Sequence, residues 1–181
     1  MITLDILELI ILAIGLSMDA FSLSIVYGTL NLSNKIKNFL SITVGIFHFV
    51  MPILGSVLGL FIVYHIISNP DILVGIIFAI LSIEMLLNIK ELDEEKKDFK
   101  SLASAFLFGF SVSIDSFSVG IALGTHQKNI LLASSIFALF SFLFTYLGLN
   151  IGNYLTKKFG KIANIIGSVI LFLLAINYFL E

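Results

Sequence analysis

Two aspartates, Asp19 and Asp115, lie inside apolar segments that are long enough to cross a membrane as helices. A charged side chain at the centre of a bilayer costs about 2.5–3.5 kcal/mol on insertion scales, so such residues are rare and usually functional. Carboxylate oxygens are ligands that hard divalent cations prefer. The pair therefore predicts a cation-binding site inside the membrane.

Each aspartate is followed three residues later by a serine, Ser22 or Ser118. Residues three apart share a helical face, so these hydroxyls are candidate ligands or hydrogen-bond partners of the carboxylates. Serines in membrane helices also serve as simple packing contacts, and both interpretations stay open. Ser17 and Ser113 lie two residues before the aspartates and are expected to point away from that face.

Three further residues, His48, Pro52 and Glu84, extend the list of candidates. Pro52 has no N–H, so the carbonyl of His48, four residues earlier, loses its helical partner. An imidazole and a free carbonyl at one depth suit a cation or a proton, and the simpler alternative is a kinked helix. Glu84 is either a third carboxylate of the pathway or a side chain that reaches the cytoplasmic interface.

The polar groups of these segments favour a cation as cargo. The chain has no Arg, and no cluster of Lys lies within the apolar segments to receive an anion. Oxygen-rich sites suit Mg²⁺, Ca²⁺ and Mn²⁺, and an imidazole extends the range to Zn²⁺, Fe²⁺, Co²⁺ and Ni²⁺. Cu(I) is disfavoured because the chain has no Cys and few Met.

Composition places most of the chain in lipid. Hydrophobic residues make up 59% and charged residues 12%, where soluble proteins carry about 25% charged residues. A net charge of -2 also offers no basic face for nucleic acid. The sequence predicts an all-α, polytopic membrane protein with six transmembrane helices, at roughly Ile6–Tyr27, Phe39–Tyr64, Ile72–Ile89, Leu102–Leu123, Ile130–Tyr154 and Ile162–Leu180.

A repeat divides the chain into two halves. At a shift of 96 residues, Ser17–Gly28 and Ser113–Gly124 are identical at six of twelve positions, the aspartates included. We expect a three-helix repeat at 1–89, a charged cytoplasmic linker at 90–100 and a second repeat at 101–181. Three is an odd number of helices, so the halves have inverted topology, which is typical of secondary transporters with a midplane site. Both aspartates would lie about 4 Å from the midplane.

Lysines predict the orientation of the chain. Nine of them fall in or beside the loops after the first, third and fifth segments, and Lys128 alone falls on the other side. By the positive-inside rule those three loops are cytoplasmic and both termini lie outside. Two small-xxx-small patterns, Gly55/Gly59 and Gly148/Gly152, predict close packing of helices.

The motifs Ser17-Met-Asp-Ala-Phe-Ser and Ser113-Ile-Asp-Ser-Phe-Ser-Val-Gly, together with Met51-Pro-Ile-Leu-Gly55, resemble those of the MntP-type manganese efflux family, within the LysE-like exporter superfamily. The resemblance implies a prokaryotic inner-membrane pump that lowers cytoplasmic Mn²⁺, with Asp19 and Asp115 as ion ligands. The chain departs from that family's usual residues at His48, Glu84 and Asn164.

The sequence thus predicts a secondary exporter of a divalent cation, most simply Mn²⁺, and not an enzyme. No cofactor is expected beyond the transported ion. No ATP-binding motif is present, so we expect coupling to a gradient of protons or of another ion. The main alternative is an exporter of a small amino acid or another solute. An intramembrane hydrolase using His48 with Ser113 or Ser118 would lack a nucleophile motif, and a scaffold would leave the paired aspartates unexplained.

Overall fold

The computed structural model describes residues 6–30, 32–65, 70–88, 102–124, 129–152, 154 and 157–180. These residues form seven α-helices and no β-strand: α1 (Ile6–Gly28), α2 (Asn34–His65), α3 (Pro70–Asn88), α4 (Leu102–Val112), α5 (Ile114–Leu123), α6 (Ile130–Ile151) and α7 (Lys157–Leu180). All six expected segments coincide with helices, but the fourth is divided into α4 and α5 at Ser113. The predicted linker at 90–100 and Lys128 lie outside the described residues.

The outer surface of the helices is apolar. Large hydrophobic side chains point outwards, with Val57 66% exposed, Leu107 64% and Leu173 60%. Five stretches of the described residues are long and apolar enough to cross a membrane: α1, α2, α6, Phe106–Leu123 and Phe159–Leu180; the 19-residue α3 is not one of them. An exposed surface of this kind is stable against lipid, and not against water. The chain is a multi-pass membrane protein.

Helix α1 lies at the centre of the packing. It contacts α6 and α7, while α2 contacts α5 and α6, and α3 contacts α7 and, less extensively, α5. The larger apolar core joins α1, α3, α5, α6 and α7 around Leu12, Phe78 and Phe137, all fully or almost fully buried. A smaller cluster around Tyr27 and Leu40 joins α1 and α2 to α4 and α6. The first segment is therefore held on several sides.

Glycines allow two pairs of helices to approach until their backbones touch. In α2, a Cβ added at Gly55 would lie 2.9 Å from the backbone nitrogen of Ile121 in α5. In α6, a Cβ added at Gly148 would lie 2.9 Å from the carbonyl oxygen of Phe21 in α1. Small residues at helix contacts permit this approach in membranes. Neither contact has room for a side chain.

The α2–α5 and α6–α1 contacts match each other position by position. A shift of 96 residues carries α1 onto α5, and a shift of 93 carries the middle of α2 onto α6. In the α2–α5 pair, Gly55 contacts Phe117 and Ile121, Gly59 contacts Ile121, and Gly124 contacts Ser56. The equivalent contacts in the α6–α1 pair are Gly148 with Phe21 and Ile25, Gly152 with Ile25, and Gly28 with Leu149. The two helix pairs are therefore built in the same way.

The α2–α5 contact predicts a stability difference between two alanine variants. Gly55→Ala should cost about 1–3 kcal/mol, because its methyl group meets the backbone of α5, which cannot yield without moving a helix. Gly45→Ala is the matched control on the same helix, since its nearest neighbours are the Phe142 Cβ at 3.2 Å and the Ala138 carbonyl at 3.3 Å. Thermal unfolding of both variants in detergent tests this. Equal unfolding midpoints would contradict the backbone contact.

Candidate functional site

At the break beside Ser113, serine hydroxyls form hydrogen bonds to the helix backbone. The Ser113 hydroxyl donates to the Gly109 carbonyl at 2.7 Å, and the Ser116 hydroxyl donates to the Ser113 carbonyl at 2.7 Å. The Ser113 N–H bonds to Phe110, three residues back, at 3.1 Å. Such bonds compete with the regular helical pattern and bend helices. A new helix, α5, begins directly after Ser113.

Asp115 lies in the first turn of α5 as a result. Its Oδ1 accepts a hydrogen bond from the Ser116 N–H at 2.6 Å. The N-terminus of a helix carries partial positive charge and stabilises an anionic side chain. The Asp115 side chain is 19% exposed, so one side of it remains accessible. The break thus places the Asp115 carboxyl group at a helix N-terminus and beside a backbone N–H donor, which both stabilise negative charge.

His48 on α2 is fully buried and faces this break. Its Nδ1 lies 3.0 Å from the Val44 carbonyl oxygen and 2.8 Å from the Ser113 Oγ. Its Nε2 lies 3.9 Å from the Asp115 Oδ1 and has no hydrogen-bond partner. At 3.9 Å the two atoms are too far apart for a hydrogen bond. The structure therefore brings an imidazole and a carboxylate, both predicted from the sequence, to one place.

Two other predicted carboxylates lie within electrostatic range of Asp115. The charges of Asp19 on α1 and Glu84 on α3 both act on it. Asp19 is half-buried, whereas Glu84 is exposed on its helix. Within the described ranges, no group of three or more His, Asp or Glu side chains is close enough to hold a metal ion. The arrangement is an open set of groups from four helices and not a closed metal centre.

The serines one turn after the aspartates have different surroundings. Ser22 is fully buried, and its hydroxyl has no hydrogen-bond partner. A Cβ added at Gly160, near the start of α7, would lie 3.3 Å from the Ser22 Oγ. Ser118 is half-buried on α5. Ser22 thus lies against α7, at a contact between the first and the last helix.

Pro52 packs against the helix that carries Asp115. The helix α2 continues through Pro52 to His65. A Cβ added at Gly120 in α5 would meet the Pro52 backbone, with the Pro52 carbonyl carbon at 2.7 Å. The expectation that the His48 carbonyl is free stays a prediction. Pro52 and Gly55 hold α2 against α5 on the same face, within two turns of His48.

Sequence reasoning missed the contact between Ser113 and His48. It placed Ser113 on the opposite face from Asp115, which holds for a continuous helix but not for a helix broken at that residue. A signal was available, because Ser111, Ser113, Ser116 and Ser118 concentrate four hydroxyls in a short stretch after Gly109. Serines of this density favour local bonds to the backbone.

In the first half, Ser17 takes the position of Ser113. Its Oγ lies 3.1 Å from the Ser141 Oγ on α6, and both side chains are fully buried. The shifts that relate the two halves carry Ser17 onto Ser113 and His48 onto Ser141. The contact between Ser17 and Ser141 thus joins two hydroxyls, whereas the equivalent contact between Ser113 and His48 joins a hydroxyl and an imidazole.

Comparison with known proteins identifies relatives along nearly the whole chain. A family model described as "Putative manganese efflux pump" matches residues 31–179. Proteins named "Putative manganese efflux pump MntP" from Bacillus cereus (strain ATCC 10987 / NRS 248), Bacillus thuringiensis (strain Al Hakam) and Bacillus anthracis are each 36% identical over 173 residues, which cover 92% of both chains. No solved structure matches the chain. The chain belongs to the MntP family.

Proposed function

We propose that the chain is a secondary transporter that exports a divalent cation, foremost Mn²⁺, from the cytoplasm. The observation that carries the proposal is the position of Asp115 beside the buried His48, and Asp19 at the equivalent position of the repeated motif supports it. Manganese sites use carboxylate oxygen, and imidazole suits the neighbouring transition metals. Relatives named as manganese efflux pumps support the choice of metal.

One cation held between Asp19 and Asp115 would draw the two carboxylates together. Two ionised carboxylates repel each other strongly where water is scarce, and a divalent cation turns that repulsion into attraction. Both residues occupy the same position of the repeated motif. Further ligands would come from the candidates His48, Ser22, Ser118 and Glu84, or from water. The coordination shell of the cation would be completed only when the helices move, since the described residues form no complete metal site.

Inverted repeats would provide that movement. The matched glycine contacts of α2 with α5 and of α6 with α1 support two equivalent halves, at 1–89 and 101–181. Two halves of opposite orientation can exchange conformations around a fixed midplane site, which gives access from each side in turn. Six spanning helices, a prokaryotic inner membrane and two external termini complete the proposal; the lysine distribution supports the orientation.

Protons are the proposed counter-ion. No ATP-binding motif occurs in the sequence, so the driving force would come from an ion gradient. Two interacting carboxylates take up and release protons as a pair. Exchange of one divalent cation for two protons at Asp19 and Asp115 conserves charge at the site.

An exporter of small amino acids is the alternative from the wider superfamily. Such a substrate needs a cation to hold its carboxylate. Among the described residues, Lys37 is the one buried lysine. It lies in the first turn of α2, with its Nζ 3.4 Å from the Asn150 Oδ1 on α6. That position is about three helical turns from His48, so the metal site gains no basic partner from it.

Removal of either central charge should abolish manganese export. Asp19→Asn and Asp115→Asn keep the size of the side chain but lose the charge, so we expect at least a ~10-fold lower export rate. The measurement is the cellular content of Mn, Fe, Co, Ni and Zn in an exporter-deficient bacterium under metal challenge. Glu8→Gln, in the first turn of α1, is the matched control and should export normally.

Full export by either variant, with the protein in the membrane, would refute the role of the carboxylates. If the unaltered protein changes no metal but lowers a cellular amino acid, the alternative function takes its place.

The orientation can be tested with two single cysteines, since the chain has none of its own. Ser33 and Asn129 directly precede the second helix of each half, and both are exposed. In inverted halves, a membrane-impermeant maleimide added to whole cells should label Asn129→Cys and not Ser33→Cys. Both should react after permeabilisation. Labelling of both variants in intact cells would rule out the inverted arrangement.

Proton exchange predicts a flux opposite to that of the metal. In proteoliposomes that hold the purified protein and a pH-sensitive dye, Mn²⁺ entry should drive about two protons outwards per ion, because a pair of carboxylates is deprotonated on binding. Asp115→Asn should show neither flux. Mn²⁺ entry at an unchanged internal pH would exclude protons as the counter-ion.

A further inference from the structure

We infer that Val44 and Ser113 hold the proton of His48 on Nδ1, so that its bare Nε2 acts as a nitrogen ligand that makes the site prefer transition-metal ions to Mg²⁺ and Ca²⁺. The inference rests on the proposed export function and specifies the selectivity of the same site. Ser113 is a positioning residue in this arrangement, since it acts through His48.

The hydrogen bonds of Nδ1 determine the tautomer. The Val44 carbonyl oxygen, 3.0 Å away, can only accept, so Nδ1 must carry the hydrogen. The Ser113 Oγ, 2.8 Å from Nδ1, donates its own hydrogen to the Gly109 carbonyl and offers a lone pair to the imidazole. The reverse tautomer would place the Nδ1 lone pair against the lone pairs of the carbonyl. The Val44 carbonyl therefore selects Nδ1–H, and the Ser113 hydroxyl oxygen can accept from the same N–H.

In this tautomer the Nε2 lone pair faces Asp115. Nε2 is buried and has no hydrogen-bond partner, and the Asp115 Oδ1 is 3.9 Å away. Two neighbouring ligands of one octahedral cation, each about 2.1 Å from it, are about 3.0 Å apart. A small rotation of the Asp115 side chain, which is partly exposed, would bring both atoms onto one ion. Histidines that bind a metal through one ring nitrogen commonly donate the N–H of the other ring nitrogen to a backbone carbonyl.

A nitrogen ligand changes the choice of metal. Mg²⁺ and Ca²⁺ bind oxygen almost exclusively, and Mg²⁺ gives up its water reluctantly. Imidazole binds divalent transition metals with an affinity that rises from Mn²⁺ to Cu²⁺. A site made of Asp19 and Asp115 alone would offer Mg²⁺ the ligands it prefers. His48 therefore favours Mn²⁺ over Mg²⁺ at a site where the carboxylates do not discriminate.

Among the described residues, this nitrogen lies beside Asp115 and has no counterpart at the equivalent contact near Asp19. Ser141 stands at the position equivalent to His48, and its hydroxyl lies 3.1 Å from the Ser17 hydroxyl. The contact that involves Ser17, two residues before Asp19, thus offers hydroxyl oxygen at that position. The selectivity should accordingly depend on His48 and Ser113 and not on Ser17 and Ser141.

The direct test is pulsed electron paramagnetic resonance on the purified full-length protein loaded with one equivalent of Mn²⁺. Nitrogen bound to Mn²⁺ gives a ¹⁴N modulation of the echo. We expect this signal in the unaltered protein, in His65→Gln and in His126→Gln, which replace the other two histidines of the sequence. His48→Gln keeps an oxygen ligand of similar length and should lose the signal.

Competition by Mg²⁺ tests the selectivity in the same samples. His48→Gln should need at least ~10-fold less Mg²⁺ to displace Mn²⁺, since its site offers only oxygen. Ser113→Ala should show a smaller fall in the same direction, and Ser113→Thr should restore the ratio because it keeps the hydroxyl. Ser141→Ala, at the equivalent position on α6, is the matched control and should leave the ratio unchanged.

Absence of the ¹⁴N signal in the unaltered protein, whether or not Mn²⁺ binds, overturns the inference. So does an unchanged Mg²⁺ ratio in His48→Gln, and an unchanged ratio in Ser113→Ala removes the positioning role. If cells export manganese but the purified protein gives no ¹⁴N signal, the nitrogen ligand is refuted and the export function stands. If the protein gives the ¹⁴N signal but cells do not export manganese, the nitrogen ligand stands and the export function is refuted.

Discussion

A carboxyl group in the interior of a bilayer needs partners that replace water, and this requirement governs the centre of the protein. Asp115 obtains part of the compensation from the N-terminus of α5 and the Ser116 N–H. That helix end exists because the fourth segment is broken at Ser113. The same serine also holds His48, so one break both stabilises the carboxylate and orients the imidazole beside it. A cation shared with Asp19 would supply the remaining compensation.

Close contacts between helix backbones set the frame around these groups. Glycines bring α2 onto α5 and α6 onto α1 through equivalent residues. In the proposed inverted repeat, each half would thus pack its second helix on the first helix of the other, an arrangement that suits alternation between two states. Within this similar frame the polar residues differ, since His48 faces Ser113 where Ser141 faces Ser17. In the proposed mechanism, the similar helix packing would provide the movement and the different polar residues would provide the selectivity.

The sequence was sufficient to predict the helices, because twenty apolar residues in a row have few other stable states. It also singled out Asp115 and His48, since polar groups are costly at that depth. The break at Ser113 could not be predicted from the sequence, because hydrophobic periodicity does not show whether a serine bonds to its own helix or to a neighbouring one. The sequence also left open whether Ser22 binds a cation or packs between helices, and its buried hydroxyl lies close to Gly160. Contacts between helices depend on rotation and tilt, which are set by packing and not by hydropathy.

The central claim is that Asp19 and Asp115 hold one cation between them, and the stoichiometry of Mn²⁺ binding to the purified protein tests it most directly. Equilibrium dialysis against radioactive Mn²⁺ should give one ion per chain for the unaltered protein. Asp19→Asn and Asp115→Asn should each reduce this to none at the same free concentration, because neither carboxylate alone completes the site. Two ions per chain, or one ion retained by each variant, would show that the aspartates bind separate ions and would contradict the account.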